Sequence, residues 1–278
     1  MFVNFDFSVF KNKIIGVATS GGSDSMALLH YMLSIKDKFF FNVIALNVEH
    51  GIRGESSIAD SLFVKDYCEK LNIPLLSYSV DAVSHSKEYK LSIEQSARIL
   101  RYECFQKAIS DGNCDFIATA HHQKDNAETI LINLFRGTGL KGATGISNFD
   151  GKIIRPLLNT EKKEILAYLE EFKVPFVNDE SNFSSDYTRN YLRLNVVPLI
   201  EKVFPEYDKS LTRFSSLVKE EDEFLDRLSE KALIKKGGCY YIDLDTEKVL
   251  FKRACIIAFK ALGIEKDWEK AHVDGVLS

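Results

Sequence analysis

The sequence predicts an α/β protein: a parallel sheet with helices on both faces, followed by a smaller, mostly helical C-terminal domain. Two observations predict it. Short apolar runs alternate with helical patterns from Lys13 to about Phe172, the order that gives parallel strands joined by crossover helices. The chemistry-bearing residues fall just after the strand runs, where ligands sit in open sheets of this kind. With 278 residues, 45% of them hydrophobic, the chain is long enough for one large domain and a small one.

Lys13–Thr19 is a buried-type strand, and the helix after it fades at Ser34–Lys38. Phe41–Asn47 is the second strand, ending in the turn Glu49-His50-Gly51-Ile52-Arg53-Gly54. Ser56 or Ser57 is placed to cap the next helix, whose apolar positions run Ile58, Leu62, Val64, Tyr67, Leu71. Pro74–Val80 is the third strand. Ser92-Ile93-Glu94-Gln95 fits a capping box and opens a helix to about Ile109. Phe116–Ala120 is the fourth strand, followed at once by His121-His122, a helix from Asp125 to Leu134, and the flexible Arg136-Gly137-Thr138-Gly139. Lys152–Leu157 is a short fifth strand, and Thr160 caps a helix ending near Phe172. After Asp179 the alternation stops. A helix is expected over Tyr187–Ile200, punctuated by Pro198, then mostly helix from Pro205 with one strand, Cys239–Leu244, after Gly237-Gly238. The domains are expected at 1–203 and 204–278. The last residues carry no terminal cap, as expected of a protein that continues.

The most specific local stretch is Ser20-Gly21-Gly22-Ser23-Asp24-Ser25, between the first strand and its helix. Two glycines allow close backbone approach to a ligand. Three hydroxyls and the free N–H groups at the helix start suit phosphate. The loop is neither G-x-x-x-x-G-K-[ST] nor G-x-G-x-x-G, and it holds no lysine to reach β/γ-phosphates. Asp24 beside polyphosphate requires a cation, and Mg²⁺ takes one or two carboxylates plus phosphate oxygens. The plain alternative is a helix cap supplied by Ser23 or Asp24.

The net charge of −4 does not announce a nucleic-acid binder, so a polyanion would need local basic clusters such as Lys231/Lys235/Lys236 and Lys252/Arg253. Glu220-Glu221-Asp222-Glu223 reads as a solvated surface. Five scattered cysteines without C-x-x-C spacing suit reduced thiols in a cytosol. The start has no signal-peptide pattern and no run is long enough to span a bilayer, so a cytoplasmic, membrane-free protein is expected.

The Ser20–Ser25 stretch resembles the PP-loop of the ATP pyrophosphatase superfamily. Further stretches follow in order: Asn47-Val48-Glu49-His50-Gly51-Ile52-Arg53; Glu94, Ala97-Arg98 and Arg101-Tyr102; Ala118 to His122 with Asp125-Asn126-Ala127-Glu128-Thr129; Arg136-Gly137-Thr138-Gly139-Leu140. Then come Arg155-Pro156-Leu157-Leu158, Asp179 with Asn182, and Arg189-Asn190-Tyr191-Leu192-Arg193. Together they resemble the tRNA(Ile)-lysidine synthase family over roughly Lys13 to Pro205. The resemblance implies a Rossmann-like sheet of the PP-loop ATPase type and a ligase that uses ATP and Mg²⁺. It implies that free L-lysine is joined to C2 of the wobble cytidine of tRNA(Ile) with a CAU anticodon. ATP first adenylates the base with release of pyrophosphate, and lysine then displaces AMP. A homodimer is compatible with it.

On this resemblance Ser20, Gly21, Gly22, Ser23, Asp24 and Ser25 hold ATP, with Asp24 also on the metal, and His50 and Arg53 face the nucleotide. Asp125 and Glu128, three apart on one helix face, are expected to hold the lysine ammonium. Arg101 and Arg193 are expected to stabilise charge at the α-phosphate and base, and His121, His122 and Arg189 to contact substrate. Lys124 stands where the family usually has an acid. The plain alternatives are strand-end roles for the histidines, helix-start acids for Asp125 and Glu128, and a solvated face for Arg189 and Arg193. Rival functions are a PP-loop tRNA thiolase, against which the placement of the cysteines counts, and a non-catalytic nucleotide-binding module.

Overall fold

The computed structural model describes residues 3–52, 55–177 and 188–264. A 3₁₀ turn at Ser8–Phe10 leads to β1 (Ile14–Ala18), α1 (Ser23–Phe39), β2 (Asn42–Glu49), α2 (Glu55–Lys70) and β3 (Leu75–Ser79). Next come α3 (Ala82–Tyr89), α4 (Ile93–Ser110), β4 (Phe116–Ala118), α5 (Gln123–Phe135) and the single turn α6 (Leu140–Ala143). β5 (Phe149–Asp150), β6 (Ile153–Ile154) and α7 (Lys162–Glu171) follow. After 188 come α8 (Thr188–Tyr191), a π-helical stretch over Leu192–Val196, and α9 (Val197–Val203). The rest is α10 (Tyr207–Lys231), the hairpin β7 (Leu233–Lys236) and β8 (Cys239–Ile242), and α11 (Lys248–Ala261).

The expected α/β class is observed. Six strands form one sheet in the order β3-β2-β1-β4-β6-β5, all parallel except β5, which pairs antiparallel with β6. The chain leaves β1 toward β2 and β3, then returns to β4 on the other side of β1. The strand order therefore reverses between β1 and β4, and the crevice beyond their carboxyl ends is where such a sheet takes ligands.

Alternation along the strands divides the core between the two faces. Ile15, Val17, Val43 and Ala45 pack with Met26, Leu28 and Leu29 of α1, Val64 of α2 and Ile165 of α7. On the other face Leu46, Ile117 and Ile153 pack with Phe105 and Ala108 of α4. Gly16 lies on that second face. A Cβ there would come 2.9 Å from the Ile117 Cδ1, so a side chain at this position would have to push the end of Ile117 aside.

Contacts divide the chain into two compact units: residues 1–135 with 145–212, and 136–144 with 213–278. Tyr207 and Leu211 belong to the first, packed with Leu192 and Val197. In the second, Phe251 and Cys255 of α11 pack with Ile242 of β8. Among the described residues no helix is long and apolar enough to cross a membrane.

Several elements differ in detail from the expectation. α2 begins at Glu55, ahead of Ser56 and Ser57. α3 and the edge strand β5 are additional, and the fifth expected strand shrinks to the two residues of β6. Glu161, not Thr160, caps α7, through a reciprocal box with Glu164. The helix expected around Pro198 breaks into α8, the π stretch and α9, with the proline in the first turn of α9, where a missing N–H costs least. Gly237 and Gly238, both at positive φ, form the turn of a two-stranded hairpin rather than the start of one strand. The Ser92–Gln95 capping box is present as read.

Replacing Gly16 with valine should destabilise the protein by about 1–3 kcal/mol through overpacking against Ile117. The urea midpoint should fall while the slope of the transition stays constant.

Candidate active site

The site grows from the turn after β1. Gly21 has φ +90°, a conformation that L side chains rarely adopt, so the turn takes this shape because position 21 is glycine. The N-cap of α1 is Gly22, and no side chain caps the helix. Ser23 and Asp24 already lie in its first turn, so neither performs the capping role that was the plain alternative. The Ser25 hydroxyl donates to the Gly22 carbonyl at 2.9 Å and accepts from the Ser20 N–H at 3.2 Å, which fixes the turn from inside. From behind, the Val177 N–H donates to the Gly21 carbonyl. The turn is thus a preformed cradle at the start of a 17-residue helix, the geometry that suits an anion.

β2 ends beside it. Buried Asn47 donates to the Thr19 carbonyl at 2.8 Å and ties the two strand ends together. His50 follows, half-buried and close enough to Arg101 of α4 to feel its charge. Burial, then Arg101, push the His50 imidazole down to about 4. Arg101 itself is exposed. Arg53, expected to share this edge, lies outside the described residues, as do Asp179 and Asn182.

β4 supplies His121 and His122. The His121 Nδ1 pairs with the Thr119 hydroxyl at 2.9 Å. Burial is the main force holding that imidazole down at about 4, aided by Arg155, Arg189 and Arg98 against the pull of Asp125. His122 is buried, and its Nδ1 accepts from the Lys124 N–H at 3.2 Å, which assigns the proton of a neutral ring to Nε2. That Nε2 lies 3.8 Å from Asp24 and 3.6 Å from Asp125, between the two carboxylates.

Asp125 and Glu128 do share a face of α5, and that face meets Arg189 and Arg193. Glu128 accepts from the Arg189 Nε at 2.9 Å and from the Arg193 Nε and Nη2 at 2.7 and 2.8 Å. Asp125 is held more loosely, by the same two guanidiniums at 3.3 and 3.2 Å, and it accepts from the His122 N–H at 2.9 Å. The Glu128 side chain is 3% exposed and that of Asp125 15%. Two acids and two arginines make a neutral, largely buried cluster, so Arg189 and Arg193 are not a solvated face. Burial pushes the Asp125 carboxyl up, but His122, Arg189, the His122 N–H and His121 outweigh it and hold it below its usual range.

Lys124 has a structural partner: its ammonium reaches Glu201 of α9 at 2.7 Å. Sequence reasoning missed Lys162. From the first position of α7 it reaches Asp24 at 2.5 Å and the Ser23 hydroxyl at 2.9 Å, so a lysine does stand at the loop, delivered from 138 residues downstream. Its one local signal is a cation at a helix N-terminus, where the dipole disfavours it. In the second unit, Arg253 ion-pairs with Asp222 and Asp226. Arg253 is therefore not a spare cation, and Asp222 is buried rather than solvated.

Fold and loop together define a PP-loop, ATP-using protein, and the sequence profile of the PP-loop domain matches residues 2–200. Relatives carry the assignment further. The tRNA(Ile)-lysidine synthase of Chlorobaculum tepidum is 40% identical over 257 residues, covering 89% of this chain and 78% of its own length. That of Thermosipho africanus is 38% identical, covering 83% of this chain and 54% of its own length. That of Caldanaerobacter subterraneus is 34% identical, covering 96% and 60%. The chain belongs to the tRNA(Ile)-lysidine synthase family. It spans little more than half the length of the last two relatives. A U34-tRNA thiolase of Methanococcus maripaludis shares the fold, with a TM-score of 0.61 at 22% identity over 76% of this chain and 74% of its own.

The two depressed histidines set a pH dependence. Their ordinary value is 6.5 and the folded value about 4. Between these the unfolded chain binds more protons, so stability rises with pH across that window and is lost on acidification. Asp125, held low, has the same sign at lower pH. Going from about pH 7 to 4.5 should cost roughly 2 kcal/mol per histidine. His50→Gln and His121→Gln should each flatten that slope in denaturant titrations, and an equally steep slope in both variants would contradict the assignment.

Proposed function

We propose that this protein joins free L-lysine to C2 of the wobble cytidine of tRNA(Ile), splitting ATP to AMP and pyrophosphate. The observation that carries the proposal is the position of His122, between Asp24 of the phosphate loop and Asp125 of the acid–arginine cluster. It joins an anion cradle and a carboxylate site into one. Ser20–Ser25 take the β- and γ-phosphates, and His50, with Arg53, faces the nucleotide. Asp24 is a single partly exposed carboxylate at the loop. That suits Mg²⁺ shared with phosphate oxygens, which would neutralise the charge of the triphosphate.

In the first step the C2 oxygen of the cytidine attacks the α-phosphorus, and the bond to the bridging oxygen breaks to release pyrophosphate. Arg101 and Arg193 lie at this edge as cations for the charge that develops. In the second step the ε-amine of lysine, as the free base, attacks C2, the C2–O bond breaks so that AMP leaves with the oxygen, and the amine's proton passes to solvent. The hydrogen-bond lengths support a division of the expected roles of the two acids. Glu128, in short bonds to both guanidiniums, is the anchor that positions Arg189 and Arg193. Asp125, in longer bonds and more exposed, is the carboxylate that takes the lysine ammonium, with His121 and His122 beside the substrate. An ammonium away from water needs such a partner.

The same proposal places the chemistry in residues 1–203 and tRNA contact in 204–278, in the cytoplasm. Lys231, Lys235 and Lys236 are exposed for RNA phosphates. Sulfur transfer is the poorer reading. Cys68, Cys104, Cys114 and Cys255 are buried, and Cys239 lies on β8, a strand of the second unit's hairpin and not of the six-stranded sheet.

Incubation with ATP, radiolabelled lysine and total tRNA should give labelled nucleoside and AMP in equal amounts. ADP with orthophosphate as the tRNA-dependent products would overturn the proposal. Asp125→Asn should lower lysine incorporation at subsaturating lysine by roughly tens to thousands of fold, equivalent to about 2–5 kcal/mol, with ATP binding retained. Glu128→Gln should instead lower the melting temperature as well, because it leaves two guanidiniums without their buried partner.

A further inference from the structure

Lys162 stands apart from every role assigned so far. The first turn of a helix disfavours a cation, and the N-terminus of α7 is already capped by the Glu161–Glu164 box. A lysine there does not serve its own helix. Its side chain crosses instead to α1, where the ammonium meets the Ser23 hydroxyl at 2.9 Å and the Asp24 carboxylate at 2.5 Å. Both partners lie in the turn proposed to hold phosphate. The Lys162 side chain is 31% exposed and that of Asp24 30%, so the pair stands at the mouth of the cradle rather than in the core.

We propose that Lys162 is a phosphate-contacting residue that supplies, from α7, the cation the Ser20–Ser25 loop lacks in its own sequence. An ammonium has three N–H donors. Among the described residues, two acceptors are within hydrogen-bond distance of Lys162, which leaves a donor for a phosphate oxygen. The contact with Asp24 has a use before the ligand arrives. A carboxylate at an anion site repels the anion, and Lys162 neutralises it. Once phosphate is present the ammonium bridges carboxylate and phosphate, or passes to the phosphate as Asp24 takes a metal ion. In either arrangement it opposes the charge that grows on the departing pyrophosphate. This rests on the reading of the loop as the ATP site and adds a residue to it.

Calorimetric titration tests the assignment with three probes: inorganic pyrophosphate, a non-hydrolysable ATP analogue, and adenosine, each with Mg²⁺. Lys162→Ala and Lys162→Gln should weaken pyrophosphate and the analogue by about tenfold to a hundredfold, leaving adenosine unchanged. Lys162→Arg, which keeps the charge, should restore most of the affinity. Melting temperatures measured alongside show that each variant is folded. Unchanged pyrophosphate affinity in folded Lys162→Ala overturns the proposal, and so does an equal loss for adenosine, which would make Lys162 a mere tether between α7 and α1. If the unaltered protein binds neither pyrophosphate nor the analogue, the ATP reading itself falls. If it binds both and Lys162→Ala does too, only the role of Lys162 falls.

Discussion

Parallel strands must all deliver their connections to the same edge, and β1 occupies the place where that constraint is tightest. It pairs with β2 on one side and β4 on the other. At position 16 an added Cβ would press on the Ile117 and Cys114 side chains. The candidate site depends on those two pairings. They put the turn after β1 beside His50 at the end of β2 and His121-His122 after β4. Asn47, at the end of β2, adds a side-chain latch onto the Thr19 carbonyl.

The second organising force is charge. Asp24, Asp125 and Glu128 gather at one edge of the sheet, and cations from later in the chain neutralise them. Lys162 answers Asp24, while Arg189 and Arg193 answer Asp125 and Glu128. Breaking such pairs singly is costly because the remaining charge is left without a partner away from water. The cluster therefore keeps its arginines in fixed positions, which the proposed stabilisation of transient negative charge would require.

Much of this was legible in the sequence. The strands of the sheet interior read clearly because burial on both faces demands continuous apolar runs. The loop read clearly because glycine, serine and aspartate sit at one strand-to-helix turn. α3 did not, since Ala82–Tyr89 is largely polar and shows no apolar stripe. β5 and β7 are short and carry little hydrophobic signal. Helical spacing put Asp125 with Glu128 and Arg189 with Arg193, but it could not say that the two faces meet. Lys162 was illegible for the same reason. Its partner is distant along the chain, and no local spacing encodes a contact made by tertiary packing.

The cradle's back wall and its lysine both come from late in the domain, at Val177 and Lys162. This bears on how the protein is born. A chain emerging from the ribosome exposes Ser20–Ser25 early, but the segment that completes the cradle lies about 150 residues further on, roughly 8–30 s later at ordinary elongation rates. Until then the loop carries Asp24 without its counter-charge and lacks the Val177 hydrogen bond to the Gly21 carbonyl. The half-made protein therefore lacks both contacts on the loop, and the turn is complete only once α7 and Val177 have joined it.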